Sequence, residues 1–134
     1  MAIRFLLDTN IASFIVRRAS SALEERLQQT PAAEVALSVV TEMELRYGLV
    51  RHPRLKVAPL VEALLRGITI VPFTSEATRH YAALRVALEA KGTPIGTPDA
   101  MIAAHALSLD VTLVSNNLRE FRRVPGLRCE DWTK

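Results

Sequence analysis

The sequence predicts an α/β sandwich with a mostly parallel central sheet. Three observations carry this. Continuous apolar runs recur at residues 2–7, 34–40, 68–73 and 111–115. They do not alternate with polar residues, so both faces of each strand are covered, as in a parallel sheet wrapped by helices. The stretches between them have apolar residues at helical spacing. Polar residues able to do chemistry stand just past the ends of the runs, where such sheets place their sites.

Each element has its own signal. Residues 2–7 form the first strand, and Asn10 starts a helix carrying Ile11, Phe14 and Ile15. Ser20 or Ser21 caps a second helix, with Leu23 and Leu27 as its apolar stripe. EVALSVV is the second strand. Thr41 then caps EMELRYGLVRH, whose centre Gly48 weakens. After Pro53 comes a helix over Leu55 to Arg66, ended by Gly67, and then the strand ITIVPF. A long helix from Ser75 to Lys91 stops at Gly92. TPIGTPD is a turn-rich loop. Thr97 caps the next helix, with Pro98 at its first position. VTLVS is the fourth strand, NNLREFRRVPG a polar loop, and LRCEDW a short edge strand packed by Trp132.

With 134 residues and 49% hydrophobic content, the chain suits one domain over residues 1–134. Charged residues at 23% place it outside disordered compositions. The net charge of +3 permits a nucleic-acid partner without demanding one. The single cysteine, Cys129, excludes a disulfide framework and a cysteine zinc site, and suits a reducing compartment. AIRFLL stops at Asp8, and no apolar run reaches membrane length. The expected location is the cytoplasm.

The chemistry rests on acids at element junctions. Asp8 ends the first strand, where a carboxylate costs energy unless it is paired. Asp99 opens a helix after a Gly/Pro loop. Glu42 precedes Arg46 by one turn, the favourable order for a solvated pair, which leaves Glu44 as the inward acid. Each acid also has a structural role open to it: Asp8 as a helix cap, Asp99 as a partner of the helix dipole, Glu44 as a partly exposed side chain. If they converge, they repel one another unless protonated or bound to a cation. Oxygen donors favour Mg²⁺ or Mn²⁺, and the matching chemistry is phosphodiester hydrolysis by a metal-activated water. Arg119, Arg122 and Arg123 form either a solvated loop or a rim that touches phosphate.

Other chemistries fit poorly. The sequence has no dinucleotide-binding or phosphate-loop glycine pattern and no G-x-S-x-G. DTN resembles a phosphotransferase aspartate loop, but Asn10 stands where that loop has its second acid. His52, His80 and His105 are scattered, and Cys129 lies beside Glu130 and Asp131, a setting that disfavours a thiolate.

FLLDTN, SVVTEMELRYG, GTPIGTPDAMIAAHA and LVSNNLREFRRVPGLRCEDW, in this order, resemble the PIN-domain ribonuclease toxins of VapBC toxin–antitoxin modules. The resemblance spans nearly the whole chain. It implies a three-layer α/β/α sandwich and an acidic quartet at Asp8, Glu44, Asp99 and Asn117, the last commonly Asp in the wider family. Asp8, Asp99 and Glu44 would hold Mg²⁺ or Mn²⁺, with Asn117 or Glu120 completing the site. Asn10 and Ser115 match polar positions that orient the carboxylates or metal water. The implied activity is hydrolytic endonuclease cleavage of RNA, of tRNA and in the close subgroup the initiator tRNA anticodon loop. The implied partners are a VapB antitoxin, a second toxin copy and, through the antitoxin, operator DNA. Two other readings stand beside it. One is a catalytically weak or inactive RNA-binding or regulatory module with the same fold. The other is an aspartate-nucleophile phosphatase, which Asn10 disfavours.

Overall fold

The computed structural model describes residues 2–134. It contains β1 (Phe5–Leu7), α1 (Thr9–Arg17), α2 (Ser21–Gln29), a 3₁₀ turn (Ala32–Glu34), β2 (Val35–Ser38) and α3 (Val39–Arg51). Then follow α4 (Ala58–Gly67), β3 (Thr69–Val71), α5 (Ser75–Ala90), α6 (Thr97–Leu109), β4 (Thr112–Val114), α7 (Leu118–Phe121) and β5 (Cys129–Glu130). The five strands lie in the order β3-β2-β1-β4-β5, and every pairing is parallel. The expected edge strand at the C-terminus is β5.

Alternation along each short strand splits the core in two. Leu6, Ala36 and Leu113 point to one face, under α5 and α6. Phe5, Leu7, Val35, Leu37 and Val114 point to the other, against Ile11, Leu23, Val61, Leu65 and Trp132. Both faces are therefore dry, which explains the unbroken apolar runs. Each fully buried leucine contributes about 1.5–3 kcal/mol. Ala100, Ala103, Ala104 and Ala106 keep α6 narrow where it packs in the first core. Trp132 stacks edge-on against Phe5 at 4.9 Å. Among the described residues no helix is long and apolar enough to cross a membrane.

The register sets up the site. Leu7 pairs with both Leu37 and Val114. The next residue of each strand is Asp8, Ser38 or Ser115, and all three are buried. A polar row thus runs along the carboxyl ends of the three central strands.

Several expected boundaries shift. The second strand stops at Ser38, not Val40, because Ser38 Oγ accepts the Val40 N–H at 3.0 Å and caps α3. Thr41 is inside that helix, and two β-branched valines open it, against their strand preference. Helix α6 begins at Thr97, one residue earlier than expected, so Gly96 occupies the cap. Helix α4 begins at Ala58, not Leu55. NNLREF is not wholly loop: Leu118–Phe121 make one helical turn, anchored by fully buried Phe121. Ser20, one of the two candidates, caps α2 through the Leu23 N–H.

Candidate active site

Asp8 leaves β1 with extended backbone and caps α1, its Oδ1 accepting the Ile11 N–H at 2.8 Å. Its structural role as a cap is therefore realised, yet it satisfies only part of the carboxylate. The residue is 3% exposed. Burial pushes its pKa up, and the negative charges of Glu44 and Asp131 push the same way. The Ser115 hydroxyl and the Ile11 N–H pull it down. The Asn117 N–H in turn donates to Ser115 Oγ at 2.9 Å.

Glu44 comes to the same place from α3. The Thr9 hydroxyl donates to its Oε1 at 2.5 Å, and Thr41 Oγ1 lies 3.3 Å from Thr9 Oγ1. Glu42 faces away and pairs with Arg46 at 2.8 Å. The helix spacing that separated these two glutamates in the sequence thus matches their placement.

Asp99 sits in the first turn of α6. Its pKa is pushed up to about 7, by burial, by a hydrogen-bonding interaction with Glu120, and by the charges of Glu120, Asp8 and Glu44. Glu120 approaches on α7. Its Oε2 accepts the Asn117 side-chain N–H at 3.2 Å, while its Oε1 is buried and has no hydrogen-bond partner among the described residues. A proton on Asp99 would serve both carboxyls. Four acids from β1, α3, α6 and α7 therefore meet at one end of the sheet.

The other expected residues divide. Ser115 is inside the cluster, and the Asn117 side chain reaches Glu120. Asn10 is exposed and makes no side-chain hydrogen bond to the acids among the described residues. Arg119, Arg122 and Arg123 are exposed on and just after α7, in no ion pair among the described residues. Sequence reasoning passed over Asp131, which lies near enough to Asp8 to raise its pKa. Its signal was available, since EDW follows the edge strand at the carboxyl end of the sheet.

A divalent cation suits this chemistry. The donors are all oxygen, one buried carboxylate oxygen lacks a partner among the described residues, and burial and neighbouring acids raise the Asp99 pKa. Among the described residues no three His, Cys, Asp or Glu side chains are placed to hold an ion together. Mg²⁺ does not require that, because it keeps several waters and takes one or two carboxylates plus substrate phosphate.

Fold and acidic cleft together define a class. A PIN-domain profile matches residues 5–127, and the chain belongs to the PIN-domain family. Within it the chain is similar to the VapC ribonucleases. It is 37% identical over 132 residues to the tRNA(fMet)-specific endonuclease VapC of Salmonella typhimurium, covering 97% of this chain and 98% of the relative. It is 36% identical to Ribonuclease VapC2 of Haemophilus influenzae over the same shares. The structure of VapBC2 from Rickettsia felis, bound to a DNA fragment from their promoter, superposes with a TM-score of 0.88 at 32% identity. That match covers 97% of this chain and 99% of that one. DNA-bound VapBC from Salmonella typhimurium gives a TM-score of 0.84 at 35% identity, over 97% and 98%.

Proposed function

We propose that this chain is a divalent-metal-dependent endoribonuclease, the toxin of a toxin–antitoxin pair, with tRNA as substrate. The observation that carries the reading is the meeting of Asp8, Glu44, Asp99 and Glu120, where burial first, and then Glu120 and the charges of Asp8 and Glu44, push the Asp99 pKa up to about 7. Asp8 and Asp99 would hold Mg²⁺ or Mn²⁺, with Glu44 beside them and Glu120 supporting. The bound ion supplies positive charge that neutralises the phosphate and eases loss of a proton from water.

The chain's own groups do the rest. Asp8 is held by the helix it caps and by the Ser115 hydroxyl, so its carboxylate cannot swing away from the strand end. Thr9 holds Glu44, and Asn117 holds Glu120 while its backbone steadies Ser115. Glu44 is the base that takes the water's proton. In-line attack then leaves a 3′-hydroxyl and a 5′-phosphate. Arg119, Arg122 and Arg123 touch the RNA backbone beside the cut, and a single-stranded loop fits because its backbone can be splayed into the cleft.

The relatives named VapC, and the VapBC complexes of the same fold, support a VapB-type antitoxin as partner. In this proposal the antitoxin inhibits the toxin and links it to operator DNA, and the toxin itself is a homodimer. The inactive RNA-binding module is kept as a second reading by one observation, the lack, among the described residues, of three acids placed on a single ion.

The test is cleavage of a total tRNA pool by the purified chain with Mg²⁺, with Mn²⁺ and with EDTA, mapping the cut ends. Metal-dependent cuts in one tRNA loop are expected. A folded chain that binds Mg²⁺ and cuts neither tRNA nor ribosomal RNA would leave the binding module.

A further inference from the structure

Two helices carry Glu44 and Asp99, and one buried contact ties them together away from the acids. His105 lies on α6, six residues after Asp99, and is 1% exposed. Its Nδ1 is 2.7 Å from Ser38 Oγ. Ser38 is fully buried, ends β2 and caps α3, six residues before Glu44. The Phe73 ring stands edge-on to the imidazole at 5.3 Å.

Ser38 Oγ accepts the Val40 N–H, and its hydroxyl proton can still be donated to Nδ1. In that tautomer the imidazole carries its own proton on Nε2. Nε2 has no hydrogen-bond partner among the described residues, and the Pro72 backbone lies near the ring. A buried polar side chain with one good bond and one unpaired atom is costly compared with an apolar residue of similar size. Stability alone does not account for a histidine here.

We propose that His105 is a positioning residue for the reaction: through Ser38 it sets the start of α3 against α6, and so sets the distance between Glu44 and Asp99. This rests on the nuclease reading for its kinetic consequence but not for its geometric one. The contact crosses 67 residues of sequence and is the hydrogen bond that joins α6 to the cap of α3. A small slip of one helix along the other would carry its acid with it, and errors near 1 Å in a reacting group cost up to roughly 100-fold in rate.

The experiment compares His105→Leu, His105→Asn and Ser38→Ala with the parent chain. Asn places a polar atom near the Nδ1 position, whereas Leu fills the space without one. Two readings are taken on each folded variant: kcat and KM for tRNA cleavage, and Mn²⁺ affinity by electron paramagnetic resonance. His105→Leu should lower kcat about tenfold with KM little changed, and should weaken Mn²⁺ binding. His105→Asn should recover most of both. The double variant His105→Leu/Ser38→Ala should be no worse than the worse single variant, because both changes break one bond.

Equal kcat and Mn²⁺ affinity in His105→Leu and the parent would overturn the proposal. So would equal loss in Leu and Asn that follows their melting temperatures, since that is packing alone. If the parent chain cuts no RNA, the nuclease reading fails, and Mn²⁺ affinity across the three variants still decides the positioning.

Discussion

The two halves of the acidic cleft are held in different ways. Asp8 and Glu44 have neutral donors: the Ile11 N–H and Ser115 hydroxyl for one, the Thr9 hydroxyl for the other. Glu120 accepts the Asn117 side-chain N–H, and Asp99 stands against Glu120. One oxygen of Glu120 has no partner among the described residues, and burial with the neighbouring acids pushes the Asp99 pKa up to about 7. Both halves are acidic, and burial raises Asp8 as well as Asp99, but Asp8 has neutral donors that pull its pKa back down. The first half is therefore built as a scaffold, and the second as the place where a cation is needed most.

The sternest test of that division removes one charge from each half. Asp8→Asn keeps a good helix cap, since Asn caps as well as Asp, so the chain should fold. Asp99→Asn removes a carboxyl that repels its neighbours. Each should lower metal-dependent RNA cleavage by more than the roughly 100-fold that loss of an outer-shell partner can cost. They should differ in stability. Asp99→Asn should melt higher than the parent in EDTA near pH 8, and Asp8→Asn should not gain as much, as thermal unfolding of both will show. If Asp8→Asn gains more, the two halves have been assigned the wrong way round.

The sequence carried the scaffold half more clearly than the other. Apolar runs ending in Asp8 and Ser115 mark strand ends whatever the rest of the chain does, and the Glu42–Arg46 spacing told the two glutamates apart. The second half depends on tertiary facts. Glu120 lies on a single turn within a polar stretch, and only buried Phe121 shows why that turn forms. Neither residue repeats a helical pattern long enough to read. The two valines that open α3 look like strand, and Ser38 overrides them because its hydroxyl oxygen accepts the Val40 N–H. EDW puts Asp131 at a strand end, but its nearness to Asp8 depends on β5 pairing with β4. The pairing of His105 with Ser38 has no local signal at all.

Glu120→Gln and Thr9→Val probe the halves more gently. Loss of the Glu120 charge should weaken apparent Mg²⁺ affinity by about tenfold, with maximal rate less affected. Removal of the Thr9 hydroxyl frees Glu44 to take other rotamers. It should lower kcat by about tenfold and leave Mg²⁺ affinity nearly unchanged. Titrating Mg²⁺ against cleavage rate separates the two. The same profile from both variants would show a single undivided cluster.

The smallest effect is on stability against pH, and its sign is opposite to the usual one for a paired carboxylate. Asp99 has its pKa raised from 3.8 to about 7 on folding. The folded chain therefore holds a proton that the unfolded chain has released, and stability falls as pH rises from about 4 to about 7. Asp8, also raised, adds to the same slope. His105 acts the other way: burial lowers its pKa, so the fold loses stability as pH drops below the ordinary histidine value of 6.5. Above that value the acids stand alone. In EDTA the melting temperature should fall between pH 6.5 and 8 by a few degrees, where about 1 kcal/mol is worth roughly 3–5 °C in a chain of this length. Mg²⁺ should reverse the fall at pH 8 and do little at pH 5, because a protonated Asp99 is a poor ligand. Asp99→Asn should flatten the EDTA profile above pH 6.5. A profile unchanged by Asp99→Asn would mean that the proton is shared out over the whole cleft, with no half of it singled out for the cation.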